Sequence, residues 1–135
     1  MLPRLYYNII FNKVFFYRAI MQYFLIFGVF ISMHCLIWFG TNWQLVNGIS
    51  LKSALLISVC LSIPISLFSF WGTRIAYSAT ESAWSIRLLS FGVSYLTFPF
   101  LTWVFLHESP FNLKTMICII LSLLIILVQL FLSSN

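Results

Sequence analysis

The chain has 135 residues, 62% of them hydrophobic and 7% charged, with a net charge of +5. So apolar a chain of this length cannot hide its greasy surface in a soluble core, so it reads as an integral membrane protein. No room is left for a soluble catalytic or nucleic-acid-binding domain, and the seven bases are spread along the chain instead of clustered on a nucleic-acid face.

Residues 1–20 mix the bases Arg4, Lys13 and Arg18 with Tyr6, Tyr7, Phe11, Phe15, Phe16 and Tyr17. Bases and aromatics favour the headgroup layer, so this segment is expected to be an interfacial arm. Pro3, Asn8 and Asn12 argue against a perfect helix there. The apolar run that follows is long and closes on the bulky Trp38, Phe39 and Trp43, so it is not expected to be a cleaved secretory signal.

A single domain over 21–135 is expected to hold four spans, at about 21–40, 53–73, 88–106 and 115–134. Each is near the ~20 residues that a helix needs to cross a ~30 Å hydrocarbon layer. The expected fold class is therefore all-α, an integral membrane four-helix bundle. Thr41–Ile49 carries the turn signal Asn47-Gly48, with Trp38 and Trp43 at an aromatic belt. A second polar connection lies between Arg74 and Arg87. A third, His107–Lys114, includes Pro110, which a helix continues past with difficulty. Five bases flank one side of the spans (Arg4, Lys13, Arg18, Arg74, Arg87) and two the other (Lys52, Lys114). The positive-inside rule then puts the N-terminus and the C-terminus in the cytoplasm. A bacterial inner membrane is the expected location.

Polar and small residues recur on one side of each span. Ser58, Ser62, Ser66, Ser69 and Thr73 fall within about 80° on the second helix. Arg87, Ser90, Ser94 and Thr97 align on the third, Thr115, Cys118, Ser122 and Gln129 on the fourth, and Gly28, Ser32 and Cys35 on the first. Such stripes serve helix–helix contact in lipid, or they line a polar path. Pro64 and Pro99 lie inside the second and third spans and tend to kink them.

The two acids, Glu81 and Glu108, fall in connections and not in spans. His34 is the one group well inside a span that titrates near neutral pH. It serves either as a proton relay or as a hydrogen-bond partner of a neighbouring helix. No GxSxG, HExxH or phosphate-binding glycine loop occurs, so neither catalysis nor a cofactor or metal is expected. Cys35, Cys60 and Cys118 show no CxxC spacing and read as inert thiols.

From Ser69 onward the chain resembles the drug/metabolite transporter superfamily, and most of all a small four-helix branch of it. Members of that branch end their second span on Asn-Arg-Ile-Gly-Tyr, where this chain has Thr73-Arg74-Ile75-Ala76-Tyr77. They end the third on an acidic turn, commonly Gly-Glu-Pro, where this chain has His107-Glu108-Ser109-Pro110-Phe111. It departs from the pattern at Thr73 and Ala76 and by one inserted residue before Pro110. It also lacks the first-span Glu of small multidrug exporters, so their proton–drug exchange is not implied. The resemblance implies a four-helix fold that moves a small molecule or a lipid headgroup.

The expected function is a small transporter or flippase, working as a homodimer in the lipid bilayer. Its path would be lined by Arg87, Ser90, Ser94, Ser62, Ser66 and Trp71, with Arg74, Tyr77, Glu81, Glu108 and His34 as motif or gating residues. The alternative is a non-transporting subunit of a larger membrane complex. A weaker third reading, an intramembrane enzyme acting on lipid, needs His34 or His107 as its base.

Overall fold

A computed structural model describes the backbone of residues 2–132 and the side chains of Tyr17 and of residues 20–132. Helices α1 (Leu2–Asn42), α2 (Leu51–Thr80), α3 (Ala83–Leu106) and α4 (Leu113–Phe131) follow in order, with a short 3-10 turn at Trp43–Leu45. No strand occurs among the described residues. Four stretches are long and apolar enough to cross a membrane: Ile20–Leu45, Leu51–Thr80, Ala83–Leu106 and Leu113–Phe131. The chain is thus an all-helical, multi-pass membrane four-helix bundle.

Two expectations need correction. First, α1 is unbroken helix from Leu2, through Asn8 and Asn12. Pro3 sits in its first turn, where a missing N–H costs nothing. Side chains of residues 1–16, 18 and 19 lie outside the described set. Second, α2 runs on to Thr80, past Arg74, and α3 begins at Ala83. The 30 residues of α2 measure roughly 45 Å at 1.5 Å per residue, so the helix outreaches the hydrocarbon layer. A long basic side chain at such a depth reaches the headgroups without ending the helix. The expected polar connection shrinks to Glu81-Ser82. As expected, α3 stops at Leu106, before Pro110. His107, at φ 58°, takes the left-handed cap conformation, as Glu81 does at φ 51° after α2.

Side chains start three of the helices. Ser50, Ser82 and Asn112 accept hydrogen bonds from the backbone N–H of Ser53, Ser85 and Thr115, at 3.2, 3.3 and 2.8 Å. Each satisfies one N–H that the first turn leaves without a partner.

The helices pack in the order α2, α1, α3, α4, with α1 and α3 inside. Ile26, Phe30 and Met33 of α1 meet Ala76 of α2, Ile86, Leu89 and Val93 of α3, and Ile126 of α4 in one core. Two glycines set the closest approaches. A Cβ on Gly72 would lie 2.9 Å from Val29 Cγ1, and one on Gly92 2.6 Å from Ile126 Cγ1. Lipid gives apolar helices no hydrophobic drive to associate, so close backbone approach at small residues has to supply dispersion contact instead. Outward faces carry Phe24, Leu55, Ile63, Phe70, Leu124 and Leu127, as lipid contact requires.

Neighbours in sequence run antiparallel. Gln22 meets Ser78 near the start of the first span, and Gly40 meets Leu61 and Ile65 toward its end. The start of the first span, the Glu81-Ser82 connection and the end of α4 therefore share one side of the bundle.

Candidate functional site

Buried polar side chains are few among the described residues, and His34 and Trp38 bond across the α1–α3 seam. His34 sits near the middle of the first span and keeps 7% of its surface exposed. Its Nε2 is 3.2 Å from Ser90 Oγ of α3; the tautomer decides which atom donates. Its Nδ1 is buried, with no hydrogen-bond partner among the described residues. One turn along, the Trp38 Nε1–H donates to Thr102 Oγ1 at 3.0 Å. Thr97 and Ser122 are buried too, and bond back to their own helices at Val93 O and Cys118 O.

Trp38 was expected in an interfacial belt but is wholly buried. Its ring centroid lies 5.3 Å from that of Phe105, and Phe39 lies 5.1 Å from Phe105. Trp43 adds contacts to both phenylalanines at 5.5 and 6.0 Å, so this aromatic cluster ties the 3-10 turn to α1 and α3. The indole can go inward because Thr102 meets its N–H. Trp38 lies toward the end of α1 and Thr102 toward the end of α3, and that shared level was the available signal for this bond.

The remaining candidates divide sharply. Ser90 and Ser94 are half-buried on α3. Arg87 is exposed at the start of that helix, with its Cζ 5.1 Å from the centroid of the Phe91 ring. This is a cation–π contact within the helix's own surface. Ser62, Ser66 and Trp71 are exposed on α2. The serine stripe was expected to turn toward the other helices and does not. Ala54, Gly72 and Ala76 are the buried residues of α2 instead. The Ser62 hydroxyl donates to Val59 O at 2.7 Å, and that of Ser66 to Ser62 O at 2.8 Å. A serine so bonded needs no polar neighbour on another helix.

Arg74 and Tyr77 are exposed at the same end as Arg87, Glu81 caps α2, and Glu108 is exposed in the α3–α4 connection on the opposite side. Of all these candidates, the structure joins His34 to Ser90 by a hydrogen bond and leaves Ser62, Ser66 and Trp71 on the outer surface of α2. A bond missed by sequence reasoning links Gln22 Nε2 to Ser78 Oγ at 3.0 Å, near the Arg74 end. Among the described residues, no group of three or more His, Cys, Asp or Glu is placed to hold a metal ion.

No protein-family model, curated protein or solved structure matches the chain.

Proposed function

We propose that the protein is a small transporter or flippase-like membrane protein, and that two copies together form the path for a small molecule or lipid headgroup. The observation that carries this reading is the hydroxyl stripe on the outer face of α2. Ser62, Ser66, Ser69 and Thr73 are all exposed on a single copy. A second copy facing the first along α2 brings two stripes onto one seam at the depth of the bilayer core. Pro64 beside them frees one backbone carbonyl and weakens the helix there. Arg74 and Arg87 at one end suit an anionic headgroup, and that end is assigned to the cytoplasm by the positive-inside rule, in a bacterial inner membrane. The likeness to drug/metabolite transporters at Thr73–Tyr77 and His107–Phe111 supports the same reading.

The test uses a cysteine at position 66 (Ser66→Cys) in a background free of Cys35, Cys60 and Cys118. Oxidation in proteoliposomes should yield a cross-linked dimer, and cross-linking should stop the flipping of a fluorescent anionic lipid analogue. Monomers throughout, with no flipping above protein-free vesicles, overturn the proposal.

A second reading has its own support. The interior of one copy is filled by Trp38, Phe30, Ile26 and Leu89, and the hydroxyls of Ser62 and Ser66 are already satisfied. Such a chain suits a non-transporting subunit whose outer α2 face contacts a larger membrane protein. Stoichiometric co-purification with one large partner from native membranes favours this reading; an isolated dimer counts against it.

A further inference from the structure

His34 is a polar side chain more than nine-tenths buried near the middle of a membrane span, and among the described residues only one of its two ring nitrogens is paired. An unsatisfied polar atom in a low-dielectric interior is costly, so one that persists calls for a reason. Packing alone does not supply it: an apolar residue of similar volume would fill the space without the penalty. An imidazole differs from every other side chain present in the spans by exchanging protons near neutral pH through two separate nitrogens. Ser90 Oγ contacts one nitrogen, and the other is left for a second proton carrier.

The route to the surface lies along α3. Arg87, Ser90 and Ser94 share one face of that helix at spacings of three and four residues. Exposure falls along the line, from the exposed Arg87 to the half-buried Ser90 to the buried His34. The groups able to compete for a proton are remote or turned away. Lys52, Cys60, Arg74 and Tyr77 on α2, Tyr95 on α3, and Lys114 and Cys118 on α4 are exposed. Tyr23 lies three turns away on α1, and Cys35, next in the chain, projects about 100° from His34. Glu81 and Glu108 sit in connections. Arg87, the nearest fixed charge along α3, has the sign of a proton.

We propose that the His34–Ser90 pair is a proton-relay site inside the membrane, loaded from the Arg87 end through Ser90. In the Nδ1–H tautomer, Nε2 takes a proton from Ser90 as Nδ1 gives its own to water. The serine hydroxyl passes protons by accepting one as it gives up its own, with water as donor and acceptor. The imidazole then returns to its first tautomer by rotation or by reverse exchange, and no other bond changes. Joined to the transport reading, this makes the proton the coupling ion, although the site itself does not depend on that reading.

The chain has two histidines, so protein labelled with nitrogen-15 at histidine and held in lipid nanodiscs gives two resolvable rings, with exposed His107 as the internal reference. Between about pH 5 and 8, His34 should show exchange between tautomers or a protonated form. Vesicles loaded with a pH-sensitive dye should lose an imposed proton gradient faster with the wild-type protein than without it. His34→Gln should fall to the rate of empty vesicles, and Ser90→Ala should lie between. A single fixed neutral tautomer over the whole range overturns the proposal, as does equal gradient loss for wild type and His34→Gln. Proton flux without any flipping of lipid analogue keeps the relay and removes the flippase reading.

Discussion

The α1–α3 seam and the outer face of α2 use similar residues to opposite ends. Both carry hydroxyl side chains at helical spacing within the span. On the seam, Ser90 and Thr102 meet a ring nitrogen of His34 and of Trp38 across the helix contact. On the outer face, Ser62 and Ser66 bond back to carbonyls of their own helix. A hydroxyl is small enough to satisfy itself locally, so its presence does not decide which way a helix faces. Imidazole and indole cannot do so as readily, and they are the groups that fix the seam. On α2 the small residues decide instead: Gly72 and Ala76 face α1 because backbones approach most closely there.

If the seam holds the bundle together, its largest side chain should matter most. Trp38→Ala removes a wholly buried indole, its ring contacts with Phe39 and Phe105, and the bond to Thr102. A loss of about 3–5 kcal/mol is expected, read as a lowered unfolding midpoint in mixed micelles. Trp38→Phe keeps most of the volume and should cost far less. Gly92→Ala comes next. Its Cβ would lie 2.6 Å from Ile126 Cγ1, a contact that α3 and α4 can relieve only by separating or by moving Ile126. About 1–3 kcal/mol of destabilisation follows from such overpacking. Ile126→Ala in the same chain should recover much of it, whereas a glycine needed only for backbone flexibility would gain nothing from that second change.

The spans were legible because hydrocarbon thickness demands about 20 apolar residues, whatever the neighbours are. The order of the helices was not. In water a polar stripe marks the outside of a helix and an apolar one the inside. In lipid that contrast is weak, and the outward placing of Ser62 and Ser66 shows how a polar stripe can be satisfied on a lipid-facing side. The end of α2 was also hidden, since Arg74 marks the end of the apolar run but not of the helix. His34 was legible as the lone titratable group in a span, yet its pairing with Ser90, 56 residues away, depends on how α1 and α3 register. Trp38 was placed by composition at the interface, and the Thr102 hydroxyl drew it inward.

A cycle at Gln22 and Ser78 probes the rim between these two regions, where α1 meets α2 at the Arg74 end. The bond is exposed, and interhelix bonds of this kind are worth about 0.6 kcal/mol. Gln22→Ala, Ser78→Ala and the double variant should yield a coupling of that order in detergent. A coupling near zero would restrict the cross-helix polar contacts that matter to the buried seam.

The smallest expected effect is the most informative about the outer face. Ser62→Ala and Ser66→Ala each remove a hydroxyl whose only described bond is to its own helix. In a monomer the stability change should stay below about 0.5 kcal/mol, because the carbonyls keep their helical bonds and the methyl side chain suits lipid. If two copies meet along α2, the same variants should leave monomer stability alone while altering dimerisation measured by energy transfer between labelled copies in liposomes. A change in both quantities would mean that the stripe contacts its own bundle after all, and a change in neither would leave the face to lipid. The separation of the two readouts follows from geometry alone. A side chain that touches nothing in its own fold can influence association only through a neighbour.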